Sequence, residues 1–274
     1  MNIQKKILTF MLIFTLSCSL CACQKQDTKS KVSNNAALPE LRIGVDILKP
    51  FFYKDANGNY AGIDADIAKE ACHRAGYKPH FVEISWSNRD NYLESGNVDC
   101  LWSAFIKDGR EDSYLWTDTY LQSNLRAIVD KHTPDQKLET STAHGGMAVR
   151  AGSKIEEMLL NKSSDHDPIH IYSCGTFTMA ETAFVKGYVN ALGGHEAVLQ
   201  QIIKDYPGTY RFLDGTIMTA DLGVAFRKDD TSGHCEKINT ALQSMIKDGT
   251  ITDISQKYIP ASSTDKEVSE NAEN

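Results

Sequence analysis

Apolar and polar residues form alternating blocks along the chain, and these blocks predict a series of strands and helices. The apolar run at residues 41–46 is typical of a buried strand. Residues 64–75 carry apolar side chains at helical spacing, and Gly76 follows where a left-handed cap ends a helix. The remaining pattern predicts strands at 78–84, 97–103, 146–150, 169–173, 188–192, 210–212 and 222–227, and helices at 90–94, 154–160, 177–185, 196–204 and 235–247. Such alternation favours parallel sheets with helices on their faces.

Two segments of the chain have the same sequence pattern. Residues 95–101 and 185–192 both run from a helix end through a glycine into Val-Asp or Val-Asn and a buried strand. This repetition predicts two similar α/β lobes rather than one long sheet. Ligands of open α/β sheets bind beyond the carboxyl ends of the strands. We therefore expect the binding site in the loops that begin at four strand ends, namely Asp46, Ser103, Arg150 and Gly193.

The first 23 residues have the anatomy of a secretory signal. A pair of lysines precedes an apolar run at residues 7–20, which is shorter than a typical membrane-spanning helix. Leu-Cys-Ala stands immediately before Cys23, and this ending resembles the lipobox of bacterial lipoproteins. The resemblance implies that residues 1–22 are removed and that Cys23 carries acyl chains such as palmitate, which anchor the protein in the bilayer at the extracytoplasmic face of the cell membrane. The alternative is an ordinary secreted protein cut after Ala22.

Polar segments flank the predicted folded body. Residues 23–39 are rich in Gln, Lys, Ser and Asn and predict a flexible linker, and the acidic residues 261–274 predict a disordered tail. The chain has 29 basic and 36 acidic residues, so loss of the two signal lysines leaves 27 against 36. Such a surface repels nucleic acid, and no nucleic-acid partner is expected.

Apart from Cys23, four cysteines remain after export, a number that permits two disulfides or none. Their spacing contains no CxxC pair, so a zinc or redox motif is not predicted. These residues are Cys72, Cys100, Cys174 and Cys235.

Six short motifs occur in a fixed order between residues 41 and 258. They read Leu-Arg-Ile-Gly-Val-Asp at 41–46, Asn-Gly-Asn-Tyr-Ala-Gly-Ile-Asp-Ala-Asp-Ile-Ala at 57–68, Ser-Gly-Asn-Val-Asp at 95–99, Gly-Arg-Glu-Asp at 109–112, Trp-Thr-Asp-Thr-Tyr at 116–120 and Asp-Gly-Thr-Ile-Thr-Asp-Ile-Ser-Gln-Lys-Tyr at 248–258. In this order and spacing the motifs resemble those of the extracytoplasmic solute-binding proteins of ABC importers, in the class for polar amino acids.

The resemblance implies an α/β fold of the type II, periplasmic-binding-protein-like class, in which two lobes form a clamp. Each lobe is expected to be a mostly parallel sheet flanked by helices. Lobe one is expected at 40–121 and 228–260 and lobe two at 122–227, with two hinge crossings near 121–125 and 220–226. The implied function is that of a monomeric binding protein, not an enzyme, without a cofactor. It captures an amino acid or a similar small zwitterion or anion and delivers it to the membrane permease of an ABC importer.

The resemblance also implies a carboxylate site shared by the two lobes. Arg110 stands where the family has its carboxylate-binding arginine, and its planar guanidinium suits bidentate binding. The alternative is a surface charge paired with Glu111 or Asp112. The opening residues of a helix in the second lobe offer backbone N–H groups to the same carboxylate. These residues are Gly152, Ser153 and Lys154.

Aromatic residues and a short loop complete the expected contacts. Phe52 and Trp86 are the candidates for covering the ligand's side chain, because flat rings suit apolar stems or a cationic head. Trp102, inside a predicted strand, is expected to pack in the core instead. The loop that leads to Arg110 is one residue shorter than in the family. It contributes the candidates Ser103, Ala104 and Phe105.

Two positions depart from the family pattern. Lys49 stands where a stacking tyrosine is common, and His195, followed by Glu196, replaces the acidic residue that pairs with the ligand's amino group. Lys49 and Lys154 together favour a ligand with extra negative charge. Histidine ordinarily titrates near pH 6.5, so protonation of His195 is expected to make binding depend on pH.

Two other functions stay open at this point. A few relatives of this fold are secreted dehydratases that act on cyclic amino-acid precursors, and His195, Glu196 or Lys49 would be the acid or base. The clamp could also deliver the state of its ligand to a membrane sensor instead of an importer.

Metal capture is a further alternative. Residues 163–168 form a polar stretch that contains His166, and His170 follows shortly after. Solvated histidines in a turn are the usual explanation for such a stretch, so no metal site is predicted.

Overall fold

The computed structural model describes residues 38–134, 136–138, 145–162 and 170–259. The predicted signal, Cys23, nearly all of the linker, His166 and the acidic tail lie outside these residues. Within them, two sheets carry helices on their faces. No helix in this part of the chain is both long enough and apolar enough to cross a membrane.

The first sheet contains five strands. They are β1 (Glu40–Val45), β4 (Lys78–Glu83), β5 (Cys100–Leu101), β6 (Leu115–Trp116) and β13 (Ala225–Phe226). Their order in the sheet is β4, β1, β5, β13, β6. The first three are parallel, whereas β13 runs antiparallel to both of its neighbours. A hairpin of β2 (Tyr53–Lys54) and β3 (Tyr60–Ala61) follows β1.

In the described part of the chain, four α-helices belong to this first lobe. They are α1 (Ile63–Ala75), α2 (Arg89–Glu94), α6 (His234–Lys247) and α7 (Thr250–Tyr258). As predicted, α1 ends at Gly76, which has a left-handed φ of 77° and donates its backbone N–H to the last turn. Arg74 near that end binds Asp248 at 2.6 Å, so α1 is tied to the turn between α6 and α7.

The second sheet contains six strands. They are β7 (Leu121–Asp130), β8 (Met147–Arg150), β9 (Ile171–Cys174), β10 (Ala191–His195), β11 (Tyr210–Phe212) and β12 (Met218–Leu222). β9, β8 and β10 are parallel, and β7 runs antiparallel to β10 on one edge and to β11 and β12 on the other. Three described helices flank this sheet, namely α3 (Lys154–Lys162), α4 (Phe177–Val185) and α5 (Glu196–Asp205).

Two connections join the sheets, one between β6 and β7 and one between β12 and β13. They lie side by side, because Thr117 N donates to Val224 O and Tyr120 N donates to Leu222 O, both at 3.0 Å. The connection from β12 back to the first sheet ends at Val224, because β13 begins at Ala225. β13 pairs with β5 and β6, so it belongs to the first sheet, although the predicted second lobe, 122–227, had included it.

Several predicted elements differ from the structure for identifiable reasons. The sheets are mixed rather than mostly parallel, because β13 and β7 insert antiparallel pairs beside three parallel strands in each sheet. The strand predicted at 188–192 begins only at Ala191, since Tyr188 is 73% exposed. It extends through Gly193 and Gly194. Because neither glycine has a side chain, Ile155 packs closely against Gly193 and Phe177 packs closely against Gly194. The pattern also missed β7, β12 and α7.

The cysteines resolve one of the open alternatives. Cys72, Cys100, Cys174 and Cys235 are free thiols, so the four form no disulfide. Burial raises the pKa of the Cys72 thiol to about 12, which makes this residue a poor nucleophile.

Candidate functional site

A small cavity lies between the two sheets, beyond the carboxyl ends of β1, β5, β8 and β10, where the topology predicts a ligand. Its volume is about 30 Å³. An amino acid enters only when side chains or lobes move apart. Eight of the twelve predicted site residues line the cavity: Trp86, Ala104, Phe105, Arg110, Gly152, Ser153, Lys154 and His195. The other lining residues are Arg150 and Gly193, which the sequence had placed at strand ends near the site, and six that it had not singled out: Leu48, Ile106, Leu125, Ile155, Phe177 and Gly194.

The turn after β1 corrects two of the predicted site residues. Leu48 and Phe52 donate backbone N–H groups to each other's carbonyl oxygens at 2.7 and 2.9 Å, and this tight turn directs Leu48 towards the cavity. Lys49 is left exposed, with Nζ 5.8 Å from the ring centre of Tyr53. Phe52 is fully buried in the first lobe, where its ring contacts Phe81 at 4.9 Å. Neither Lys49 nor Phe52 lines the cavity.

The loop after β5 is held in an unusual conformation by a buried carboxylate. Ala104 has a φ of 47°, in the left-handed region that non-glycine residues rarely adopt. Its backbone N donates to Asp64 Oδ2 at 2.5 Å, and Tyr120 donates its hydroxyl to Asp64 Oδ1 at 2.8 Å. Burial raises the pKa of Asp64 to about 7, although both hydrogen bonds oppose this rise.

Ser103, in the same loop, was predicted to contact the ligand but has a different partner. Its Oγ donates to the carbonyl oxygen of Asp46 at 2.8 Å, and the residue is fully buried away from the cavity. This bond joins the ends of β1 and β5, so Ser103 supports the wall instead of forming it.

Aromatic rings and guanidinium groups stack in one part of the wall. The rings of Trp86 and Phe105 meet edge to face, with centres 4.9 Å apart. Cζ of Arg110 lies 5.6 Å from the ring centre of Phe105, and Cζ of Arg150 lies 4.9 Å from the ring centre of Trp86. Contacts of this kind suit cations, so these two rings support charged side chains of the protein itself.

Arg110 binds a carboxylate that belongs to the protein. Its Nη2 lies 2.9 Å from Glu157 Oε2, and Lys154 Nζ lies 2.6 Å from Glu157 Oε1. Arg110 comes from the first lobe, whereas Lys154 and Glu157 lie on α3 of the second. Glu157 was not singled out in the sequence, and the expected alternative partners Glu111 and Asp112 do not form this pair.

A second ion pair crosses the cavity at a deeper level. Arg150 Nη1, at the end of β8, lies 2.7 Å from Asp46 Oδ2, at the end of β1. Both side chains are almost fully buried. Burial lowers the pKa of Arg150, and Asp46 opposes this shift. The sequence placed both residues at strand ends near the ligand but gave no sign that they pair.

His195 is a neutral residue in this cavity. Its Nδ1 lies 2.9 Å from Ser123 Oγ, and its ring centre lies 5.3 Å from that of Phe51. Burial, together with the charge of Arg150, lowers the pKa of His195 to about 3. The expected titration of His195 near pH 6.5 is therefore wrong for this conformation, because the imidazole is enclosed beside a cation.

Glu196 points away from the cavity, although it follows His195 directly. Its carboxylate accepts hydrogen bonds from Asn124 and Arg126, both at 2.9 Å, in a larger groove beside β7. Glu196 is therefore corrected from a ligand contact to a partner of β7.

Backbone N–H groups at the start of α3 donate hydrogen bonds to nearby side chains. Gly152 N donates to Glu156 Oε2 at 2.6 Å, and Glu156 N donates to Ser153 Oγ at 3.3 Å. These residues do line the cavity, as predicted. Since Glu156 occupies one of the N–H groups that were expected to be free, Lys154 offers the clearest contact from this helix.

The remaining candidate chemistry is metal binding. Among the described residues, no group of three or more His, Cys, Asp or Glu side chains is arranged to hold a metal ion. His170 is described, whereas His166 and its acidic neighbours lie outside the described residues.

Known proteins resemble this chain over nearly its whole folded part. Residues 41–261 match the model of the bacterial extracellular solute-binding proteins, family 3. The probable amino-acid-binding protein YxeM of Bacillus subtilis (strain 168) is 26% identical over 254 residues, which cover 91% of this chain and 94% of that protein.

Solved structures give the same result. An ancestral arginine-binding protein bound to arginine matches with a TM-score of 0.74 at 27% identity, over 80% of this chain and 98% of that chain. The ancestral amino acid-binding protein AncCDT-1, described as a precursor of cyclohexadienyl dehydratase, matches with a TM-score of 0.71 at 26% identity, over 80% of this chain and 95% of that chain. The predicted family and the two-lobed type II fold are confirmed.

Proposed function

The chain belongs to the bacterial extracellular solute-binding proteins, family 3, and from this premise we propose that it captures an amino acid or a close analogue between its lobes and delivers it to the membrane permease of an ABC importer. The observation that carries the proposal is the clasp around Glu157. Arg110 from one lobe and Lys154 from the other hold a single carboxylate, at 2.9 and 2.6 Å.

The clasp explains how a ligand would close the two lobes. A ligand carboxylate in the position of Glu157 would be bound from both sides of the cleft at once. Charge-assisted hydrogen bonds to arginine and lysine are the strong ones in proteins, so this contact favours the closed state. Ligand binding then shifts the population towards closure, because the open lobes cannot make both contacts.

The same geometry favours binding over catalysis. A general base needs a pKa near the working pH. His195, the imidazole in the cavity wall, has a pKa lowered to about 3 and already contacts Ser123. Lys49 and Glu196, the other acid or base candidates, lie away from the cavity. Delivery of the ligand's state to a membrane sensor uses the same clamp and is the alternative outcome for the partner.

Calorimetry and small-angle scattering test the proposed capture. Protein produced without the predicted signal is titrated with the twenty common L-amino acids and with small carboxylic acids. We expect at least one of them to bind and to reduce the radius of gyration at saturation. Mass spectrometry of small molecules released on denaturation checks which ligand is retained through purification. Absence of both binding and a released molecule would contradict capture.

Membrane attachment is a separate part of the proposal. Cys23 follows Leu-Cys-Ala and would carry the acyl chains that hold the protein on the extracytoplasmic face. Cys23→Ser is expected to abolish labelling with a fatty-acid probe, whereas Cys18→Ser is expected to leave it intact. Labelling that survives Cys23→Ser would contradict the anchor. A molecular mass from small-angle scattering that equals the mass of one chain would support a monomer.

A further inference from the structure

Cationic side chains dominate the wall of the cavity between the sheets. Arg110, Arg150 and Lys154 line it, and among the described residues that line it none is acidic. His195 adds no negative charge, because an imidazole is neutral or positive. A ligand in this cavity therefore faces positive side chains from both lobes.

These cations are crowded as well as buried. Burial lowers the pKa of Arg110 and of Arg150, and the nearby charge of Arg89 lowers both further. Within the described residues, Nε of Arg89 is buried without a hydrogen-bond partner. Like charges repel more strongly in a buried site than in water. An anion between these groups relieves that repulsion, and a cation adds to it.

Two carboxylates that do not line the cavity form ion pairs with the cations of its wall. Asp46 is bound to Arg150 in a buried pair, whereas the side chain of Glu157 is 40% exposed. A ligand's acidic group replaces Glu157 on Arg110 and Lys154, because Glu157 turns into water at little cost. A guanidinium has five N–H donors, and among the described residues Asp46 is the one hydrogen-bond partner of the Arg150 guanidinium. Arg150 thus retains donors for a second acidic group.

Among the described residues that line the wall, none has a carboxylate that could pair with an ammonium group. We infer that the cavity takes a small organic dianion, such as a dicarboxylate, in preference to a neutral or cationic amino acid; this rests on the function proposed above for the same cavity.

Calorimetry with ligands of graded charge tests this inference. The dianions succinate, glutarate and adipate are compared with L-glutamate, L-glutamine and L-arginine at fixed ionic strength. We expect the best dianion to bind at least about tenfold more tightly than glutamine, since a hydrogen bond between charged groups contributes on that scale. Arginine is expected to bind most weakly. Its ammonium and guanidinium groups add two cations to the wall.

The outcomes separate this inference from the proposed function. If glutamine or arginine binds as tightly as the best dianion, the inference is overturned, while capture of an amino acid stands. If none of the six compounds binds, the inference is overturned as well. In that case the wider titration with amino acids and carboxylic acids decides whether the proposed function also fails.

Two lysines on α3 provide a matched pair of variants. Lys154→Gln removes a cation from the wall, whereas Lys162→Gln removes an exposed charge at the far end of the same helix. We expect Lys154→Gln to weaken the best dianion by at least about tenfold and to reduce the salt dependence of its binding. Lys162→Gln should leave both unchanged. Unaltered dianion affinity in Lys154→Gln would overturn the inference.

Discussion

Two ion pairs cross the cleft, and they differ in burial although their chemistry is the same. In the deep pair, the side chains of Arg150 and Asp46 are 6% and 10% exposed. In the outer pair, the side chains of Arg110 and Glu157 are 11% and 40% exposed. Both arginines are enclosed, so the difference lies in the carboxylates.

This difference assigns different roles to the two pairs. Removing one member of the deep pair leaves the other charge buried without a partner, which is costly. Separating Glu157 from Arg110 returns Glu157 to water, where exposed ion pairs contribute only about 0–1 kcal/mol. We therefore assign the deep pair a structural role, and on the function proposed above the outer pair is the one that a ligand would displace.

The largest effect is expected from breaking the deep pair. Asp46→Asn leaves the Arg150 guanidinium buried without its counter-charge, so the free energy of unfolding should fall by about 3–5 kcal/mol. Urea denaturation measures this change. Asp112→Asn, at an exposed position, should change it by less than about 0.5 kcal/mol. Equal stabilities of the two variants would show that the deep pair is not stabilising in solution.

The next effect concerns binding through the outer pair. Arg110→Ala removes the guanidinium that holds the ligand's carboxylate, and affinity should fall by roughly 30-fold or more. Without ligand, the stability should change by at most about 1 kcal/mol, because the half-exposed Glu157 is returned to water. Arg110→Lys should restore little affinity, since a lysine lacks the planar fork. Calorimetry that finds full affinity in Arg110→Ala would remove Arg110 from the site.

A third carboxylate sharpens the comparison, because Asp64 is buried like Asp46 but has no cation among its hydrogen-bond partners. Its folded pKa of about 7 lies above the ordinary 3.8, so the folded protein keeps a proton that the unfolded chain releases. Stability should therefore fall as pH rises from about 4 to 7, by at most about 1.4 kcal/mol per pH unit, and then level off.

Urea denaturation at pH 5, 6, 7 and 8 measures this slope. Asp64→Asn cannot release the proton, so the decrease with pH should be smaller in the variant than in the wild type. Parallel pH profiles for the two proteins would mean that Asp64 is already ionised in the folded state at pH 5.

The smallest effect is expected from Glu157→Gln. This variant removes the internal competitor of the ligand, and the affinity for an anion should rise a few-fold. The free energy of unfolding should change by less than about 1 kcal/mol. Glu94→Gln, on the exposed surface of α2, is the control. A loss of affinity in Glu157→Gln would mean that Glu157 contacts the ligand directly instead of competing with it.

The sequence predicted most of the architecture. Motif spacing was sufficient to place Arg110 and Lys154 at the cavity, whereas their contact with a ligand stays a prediction. Motif spacing did not predict where the side chains of Lys49 and Phe52 lie, because backbone hydrogen bonds within one tight turn decide this. It also missed the partnership of Asp46 with Arg150.

The missed contacts share a physical cause. Asp46 and Arg150 are 104 positions apart in the chain, and they meet only because two sheets face each other across the cleft. Local patterns of apolar residues carry no information on such a contact. The strands β5, β6 and β13 contain two residues each, too few for alternation to be visible. Their pairing depends on the rest of the sheet.

The position of β13 has a consequence for biosynthesis. This strand lies between β5 and β6, so the first sheet lacks a central member until residue 226 has left the ribosome. The second sheet has all of its described strands once residue 222 has been made. Domains tend to fold as units while the chain is synthesised. We therefore expect the second lobe, although inserted in the middle of the sequence, to finish folding before the lobe in which the described chain begins.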